Sequence, residues 1–325
     1  MPGRSVVLMS AAMIGLVAGG APAPAAQPTR DAPYPDIHAT SDRGVIKRGR
    51  YLVLHVAVCG HCHSETNGVP GDDGEVKLSG GSGMINAPNI TSDTKTGIGA
   101  LSDAEIARAL RYDVGHDGRA LAIMNFNLAD DDLRAVISYL RTLKPIEKKV
   151  TGEVFNFQGM AAPPPGVAAL PAGITGGPPQ GMTTLPAGKS VWNEPLKKTP
   201  RGVSPEKGRY LVEEVGDCGG CHSPRSFQTG EPSAPAFSGG TTRADERDPK
   251  RIYWVANITS GGRLATMSEK DFVTRIRAGR LIEGSPMPWE ALQGMNDDDA
   301  RSIYRYLKSV PAAVTPEHPP VEITQ

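Results

Sequence analysis

Residues 57–64 read AVCGHCHS, and residues 216–223 read GDCGGCHS. Cys59, Cys62, Cys218 and Cys221 are the chain's 4 cysteines, and each pair runs directly into a histidine, His63 or His222. The likeness extends outward from the motifs. RGRYLVLHVAVCGHCHS (48–64) aligns with KGRYLVEEVGDCGGCHS (207–223), with the same step from Gly49 to Cys59 as from Gly208 to Cys218. Downstream, LSGG (78–81) answers FSGG (237–240), APNITS (87–92) answers VANITS (255–260), and ADDDLRAVISYL (129–140) answers NDDDARSIYRYL (296–307). Matching signals in one order are the mark of an internal duplication. Two homologous domains are expected, at 42–146 and 202–311.

Each unit reads as helical. Arg43–Val58 and Ser204–Val215 are expected as helices leading into the cysteine motifs. Ser102 with Glu105 forms a capping box ahead of an apolar stripe, and Ser268 with Asp271 opens a helix in the same way. Leu133, Val136, Ile137 and Leu140 in one copy, and Ile303, Tyr304 and Leu307 in the other, have the spacing of a half-buried last helix. No convincing alternating strand is visible, so the fold class expected is all-α. Gly49 and Gly208 stand inside the first helices, where glycine costs about 1 kcal/mol against alanine. Their presence in both copies implies a second backbone crossing closely, with the last helix and its Tyr139 or Tyr306 as the candidate. Residues 151–200, rich in proline and glycine, are expected as an extended linker, with Phe155, Phe157 and Trp192 packing its ends onto the domains. Residues 312–325 are expected as a flexible tail.

After Arg4 comes the apolar run SVVLMSAAMIGLVAG, followed by APAPAAQP with its Ala-x-Ala options. That is the pattern of an export signal over residues 1–26, and it is short for the roughly 20 apolar residues of a bilayer span. No later segment is apolar enough to span, so the expectation is a periplasmic, soluble or loosely membrane-associated protein. With 35 basic and 35 acidic residues the chain carries no net charge, which argues against a nucleic-acid partner. Aromatic residues make up only 5% of the chain, so a large buried cofactor would help fill the core.

A disulfide framework would leave both histidines unexplained. A redox dithiol wants a βαβ context, and zinc modules bring their thiolates together over short spacings. Covalent haem attachment accounts for every element of the motif. Two thiols three positions apart add to the two vinyl groups on one edge of a porphyrin, and the adjacent imidazole comes to lie under the iron. Two covalently bound haem c groups follow, with His63 and His222 as proximal ligands and His61 as a surface residue. A second axial ligand is expected in the later half of each unit. Met287, held between prolines in GSPMPWEAL, is the candidate in the second unit, with Met295 and Met267 placed as apolar residues ahead of helix starts. Met124 is the candidate in the first unit. Its approach to the aspartate run is shorter (124 to 130, against 287 to 297) and lacks the prolines, which leaves Met84, His116 or an open position as alternatives. Arg119 and Arg280, just upstream of these methionines, are read either as propionate partners or as solvated side chains.

These motifs resemble the c-type cytochromes that serve as electron-transfer subunits of periplasmic quinoprotein alcohol dehydrogenases and flavin gluconate-type dehydrogenases. The similarity rests on GRYLV…CGHCHS, FSGG, NITSDTKTGIGALSD, DGRAL, the Met-Pro-Trp loop and CHSPR, which together cover most of both units. The resemblance implies two tandem class I cytochrome c-like domains, each a small helical fold around one haem. Cys59, Cys62, Cys218 and Cys221 would hold the porphyrins, with His63, His222, Met287 and Met124 on the irons. Subunits of that family commonly carry three haem domains and a C-terminal membrane-binding segment, against two domains here. The function implied is transfer of single electrons from a periplasmic dehydrogenase towards a terminal oxidase or another cytochrome, rather than catalysis. A dihaem peroxidase or sulfur-compound oxidoreductase, with an open position at the first haem, is the alternative reading.

Overall fold

The structure, a computed structural model, describes residues 32–66, 68–81, 86–119, 121, 126–151, 194–225, 232–244, 250–316 and 318–323. The expected export signal, most of the linker with Phe155, Phe157 and Trp192, and both Met84 and Met124 lie outside the described residues.

Each repeat enters through a capped helix. In α1 (Arg43–Tyr51) the Asp42 carboxylate accepts the Val45 amide at 2.9 Å. Ser204 caps α5 (Pro205–Arg209), whose Pro205 suits a first turn that needs no amide donor. Both helices then widen into a π-helical turn, Leu52–Val56 and Tyr210–Val215, closed by Ala57 N–H to Leu52 O and Gly216 N–H to Leu211 O, each at 2.8 Å. The extra residue per turn aims Leu52, Val53, Leu211 and Val212 inward, and all four are fully buried. Val58 (φ 46°) and Asp217 (φ 41°) then turn the chain left-handed into the short helices α2 (Gly60–His63) and α6 (Gly219–His222). For a β-branched valine that conformation is strained, at about 1–3 kcal/mol.

The later helices are α3 (Asp103–Tyr112), α4 (Asp130–Leu140), α7 (Glu269–Arg277), α8 (Trp289–Leu292) and α9 (Asp297–Ser309). Both expected capping boxes form, at Ser102/Glu105 and Ser268/Asp271. The expected crossing is present in both copies. A Cβ on Gly49 would overlap the Ala135 carbonyl of α4 and lie 2.9 Å from the Tyr139 Cβ. On Gly208 it would overlap the Ser302 carbonyl of α9 and lie 2.7 Å from the Tyr306 Cβ.

The fold is helix-rich but not all-α. Strands β1 (Thr242–Ala244), β2 (Arg251–Trp254) and β3 (Val321–Ile323) form an antiparallel sheet in the order β1-β2-β3. The last strand lies in the segment expected as a flexible tail. Val321 pairs with Tyr253, and the Trp254 indole stacks on His318 at 3.5 Å and donates to Glu322 at 3.0 Å. Strands of three or four residues are too short to show an alternation, and their pairing is long-range. The described end of the linker is likewise fastened: Leu196 O accepts the Asp130 amide at 2.8 Å, and the Thr199 hydroxyl donates to Asp131 at 2.8 Å.

The two repeats share one core. Leu52, Val53 and Val56 from the first belong to the same buried cluster as Leu211, Val212 and Val215 from the second. The π-turns touch beside the cysteine motifs, where a Cβ on Gly216 would sit 3.4 Å from the Val56 carbonyl. Among the described residues no helix is long and apolar enough to cross a membrane.

Candidate haem-attachment sites

The left-handed residues Val58 and Asp217 set the start of the motif helices. Cys59, Cys62 and Cys218 are half-buried and Cys221 is exposed. Burial pushes the Cys59 and Cys218 thiols up to about 12. Burial, and then the neighbouring Cys221, raise the Cys62 thiol as well. A reactive dithiol needs the opposite shift, whereas a neutral thioether fits these surroundings. Among the described residues no three His, Cys, Asp or Glu side chains are gathered to hold a metal by themselves.

His63 and His222 are both buried, and their rings are held identically. His63 Nδ1 lies 2.8 Å from the Pro88 carbonyl, and His222 Nδ1 lies 2.8 Å from the Ala256 carbonyl. A carbonyl only accepts, so the proton sits on Nδ1 and the Nε2 lone pair is free to bind a metal. Burial lowers both imidazole pKa values, although the carbonyl bonds oppose it, and this favours the neutral form a ligand must have. The residues therefore fit an iron porphyrin: two thiols on one short helix, followed by a neutral imidazole of fixed tautomer.

The accepting carbonyls are anchored by the Asn-Ile-Thr boxes that follow them. Asn89 Oδ1 accepts the Thr91 amide at 2.9 Å and hydroxyl at 2.7 Å, while its amide donates to the Ile146 carbonyl at 2.7 Å. Asn257 repeats all three bonds, at 2.9 Å and 2.7 Å to Thr259 and 2.7 Å to the Ala313 carbonyl. The Ser-Gly-Gly boxes close the other side, with Gly80 N–H on His63 O and Gly239 N–H on His222 O, each at 2.9 Å. Gly80 (φ 100°) and Gly239 (φ 60°) adopt left-handed backbone there, as glycine readily does. The sequence flagged these boxes as recurrent but gave no sign that they serve the histidines, because the groups involved are backbone carbonyls.

Of the proposed distal ligands, Met287 is described and half-buried. Its carbonyl accepts the Trp289 amide at 2.8 Å. Arg280 braces this loop: it grips Glu290 through two bonds of 2.6 Å and 2.7 Å and donates to the Ser285 carbonyl. Arg280 is exposed, in keeping with the solvated reading, and its guanidinium is paired with Glu290. Arg275 lies over the Trp289 ring at 3.6 Å, a further tie on the loop that the sequence did not signal. Met295 is buried in the core, as its position before a helix implied, and Met267 packs against that core. In the first repeat His116 is exposed, and Arg119 pairs with Asp117 at 2.6 Å on the surface. His61 is half-buried rather than fully on the surface.

The chain is similar to known cytochrome c proteins over most of its length. Over 301 residues the chain is 29% identical to the fructose dehydrogenase cytochrome subunit of Gluconobacter japonicus, covering 88% of this chain and 56% of that subunit. Over 292 residues it is 28% identical to the cytochrome c subunit of the quinone alcohol dehydrogenase of Gluconobacter oxydans, covering 84% and 56%. Over 282 residues it is 27% identical to a diheme cytochrome c-type protein of Cereibacter sphaeroides, covering 78% and 82%. The chain thus spans little more than half the length of the two dehydrogenase subunits. No family model matches the chain. Homology over most of its length joins the chain to the cytochrome c subunits of fructose, quinone alcohol and gluconate dehydrogenases and to a dihaem cytochrome c, with covalently bound haem c as the cofactor this implies.

Proposed function

We propose that the chain is a dihaem cytochrome c, built from tandem class I domains at 42–146 and 202–311, that carries single electrons in the periplasm. Its donor would be a dehydrogenase, and its acceptor another cytochrome or a terminal oxidase. The observation that carries this reading is the pair of matched Nδ1–carbonyl bonds at His63 and His222, each beside a Cys-x-x-Cys pair. Two such sites with the same supporting shell support a haem-binding role more strongly than one would.

Haem c, when bound, supplies a one-electron Fe(III)/Fe(II) couple. The chain's own residues fix its setting. Cys59, Cys62, Cys218 and Cys221 tether the porphyrin edges, and His63 and His222 ligate with Nε2. Met287, and Met124 in the first repeat, would be the second ligands of the irons. Methionine ligation raises a haem potential, which suits an acceptor of electrons from substrate oxidation. The names of the dehydrogenase subunits support the choice of donor class.

The test is haem stoichiometry and ligand reactivity after expression with a cytochrome-maturation system. A mass gain of two haems and indifference of both to carbon monoxide and cyanide are expected. A gain of one haem or none would sink the dihaem reading, and rapid binding at one haem would move the protein to the enzyme class.

A further inference from the structure

His55 lies in the π-turn of the first repeat, four positions before Cys59, yet its imidazole reaches into the second repeat. Its Nδ1 donates to the Ala291 carbonyl at 2.9 Å, in the helix that begins two positions after Met287. The chain leaving that helix is shaped around the ring: a Cβ on Gly294 would run into the imidazole. Tyr51, one turn earlier on the same face, has its ring 6.0 Å from that of His55, and its hydroxyl accepts the Asn296 amide at 3.2 Å. The first repeat therefore grips the segment behind Met287 at both ends.

Tyr210 returns the tyrosine contact by accepting the Ala129 amide at 3.1 Å, but the histidine contact is not returned. The position matching His55 in the second repeat is Glu214, whose carboxylate accepts from Arg209 at 3.4 Å. A carboxylate paired with an arginine accepts and does not donate, so the matching bond from the second repeat to the first has no donor.

We infer that His55 is a positioning residue for the distal ligand loop of the second repeat, holding Met287 in place from the opposite half of the molecule. The inference rests on the reading of Met287 as an axial ligand. It makes the second redox centre depend on the packing of the first repeat, with no reciprocal dependence through this route.

The test uses the haem-loaded protein with His55→Phe, which keeps a ring against Gly294 but removes the donor, and His55→Asn, whose side-chain amide restores one. Cyanide should displace Met287 about fivefold faster in the Phe variant, the factor one lost hydrogen bond represents. The methionine–iron charge-transfer band should weaken in parallel, and amide exchange across residues 289–295 should quicken. The Asn variant should return all three towards the parent values. A Phe variant as slow as the parent, or an Asn variant as fast as Phe, overturns the inference. The underlying ligand assignment fails separately, if Met287→Ala leaves band and cyanide kinetics untouched; amide exchange then still reports whether His55 holds the segment.

Discussion

The Tyr51 hydroxyl donates to the Asp299 carboxylate at 2.7 Å, joining two residues 248 positions apart. The relation is reciprocal, for Tyr210 of the second repeat donates to Asp132 of the first at 2.9 Å. Each tyrosine oxygen also accepts an amide of the opposite repeat, Asn296 at 3.2 Å and Ala129 at 3.1 Å. Each carboxylate is balanced from its own side, Asp132 by Arg48 at 2.8 Å and Asp299 by Lys207 at 2.5 Å. At this joint the two halves exchange the same tyrosine–aspartate contacts, as the partners of a two-fold dimer would. The buried polar joint also fixes how the repeats sit, since any other docking would strand two buried carboxylates.

Removing one hydroxyl leaves a buried acceptor short of a donor, so Tyr51→Phe and Tyr210→Phe should each cost about 1–3 kcal/mol. The pH dependence has a definite sign. Burial, and then the charge of Asp299, raise the Tyr51 hydroxyl well above its ordinary value; burial and then Asp132 do the same at Tyr210. Above about pH 10 tyrosines of the unfolded chain lose their protons while these two keep theirs in the folded chain. The folded state then binds more protons, so stability, complete below that pH, falls as pH rises further. Urea midpoints at neutral pH and at about pH 10.5 should show this fall in the parent and a shallower one in the double Phe variant. A parallel fall in both would locate the alkaline sensitivity elsewhere.

Alanine at Gly49 or Gly208 should destabilise the protein although it favours the helix. Propensity gains about 1 kcal/mol, but the new methyl meets a carbonyl of the crossing helix, which no rotamer change relieves. Forcing the helices apart costs about 1–3 kcal/mol or more. Thermal unfolding should place both variants well below the parent, while Lys47→Ala, on the exposed face of the same helix, should stay within about 0.5 kcal/mol. A Gly49→Ala protein as stable as the parent would show that α1 and α4 do not cross as described.

That crossing was legible because glycine recurs where a helix gives no reason for it. The duplication, the capping boxes and the core role of Met295 were legible for similar reasons, each being a local pattern with one economical explanation. The Tyr51–Asp299 exchange was not. Both residues stand in repeated motifs, but nothing local says that each tyrosine meets the other copy's aspartate rather than its own. The sheet was missed because three-residue strands carry no periodicity. The roles of Pro88 and Ala256 were hidden because backbone carbonyls have no residue signature. The Arg280–Glu290 pair was not legible either, because its two residues stand ten positions apart on either side of the Met287 loop.

The Asn-Ile-Thr boxes should tune the irons without touching them. Asn257→Ala removes the tie to the Ala313 carbonyl and frees the segment that presents Ala256 O to His222. A weaker Nδ1 bond makes the imidazole a poorer donor, which favours Fe(II). The potential of the second haem should rise by about 40 mV, the one-electron equivalent of one hydrogen bond of about 1 kcal/mol. Asn89→Ala should do the same at the first haem. Covalent attachment should survive in both, since the thiols are untouched. A potentiometric titration that finds only stability altered would reduce the boxes to loop staples.

Met287 and Met295 should part cleanly under substitution, because they differ in what surrounds them. Met295 is 3% exposed and packed in the shared core, so Met295→Ala leaves a cavity and should cost about 2–5 kcal/mol, with the haem spectrum intact. Met287 sits half-buried on a loop held by the Arg280–Glu290 pair and the Trp289 contacts, none of which uses its side chain. Met287→Ala should therefore cost little stability, about 1 kcal/mol or less. It should abolish the methionine–iron charge-transfer band of one haem, open that haem to cyanide and lower its potential. Denaturation and cyanide titration of the two variants side by side decide the matter: if Met295→Ala loses the band and Met287→Ala keeps it, the distal ligand lies in the core and the loop is structural.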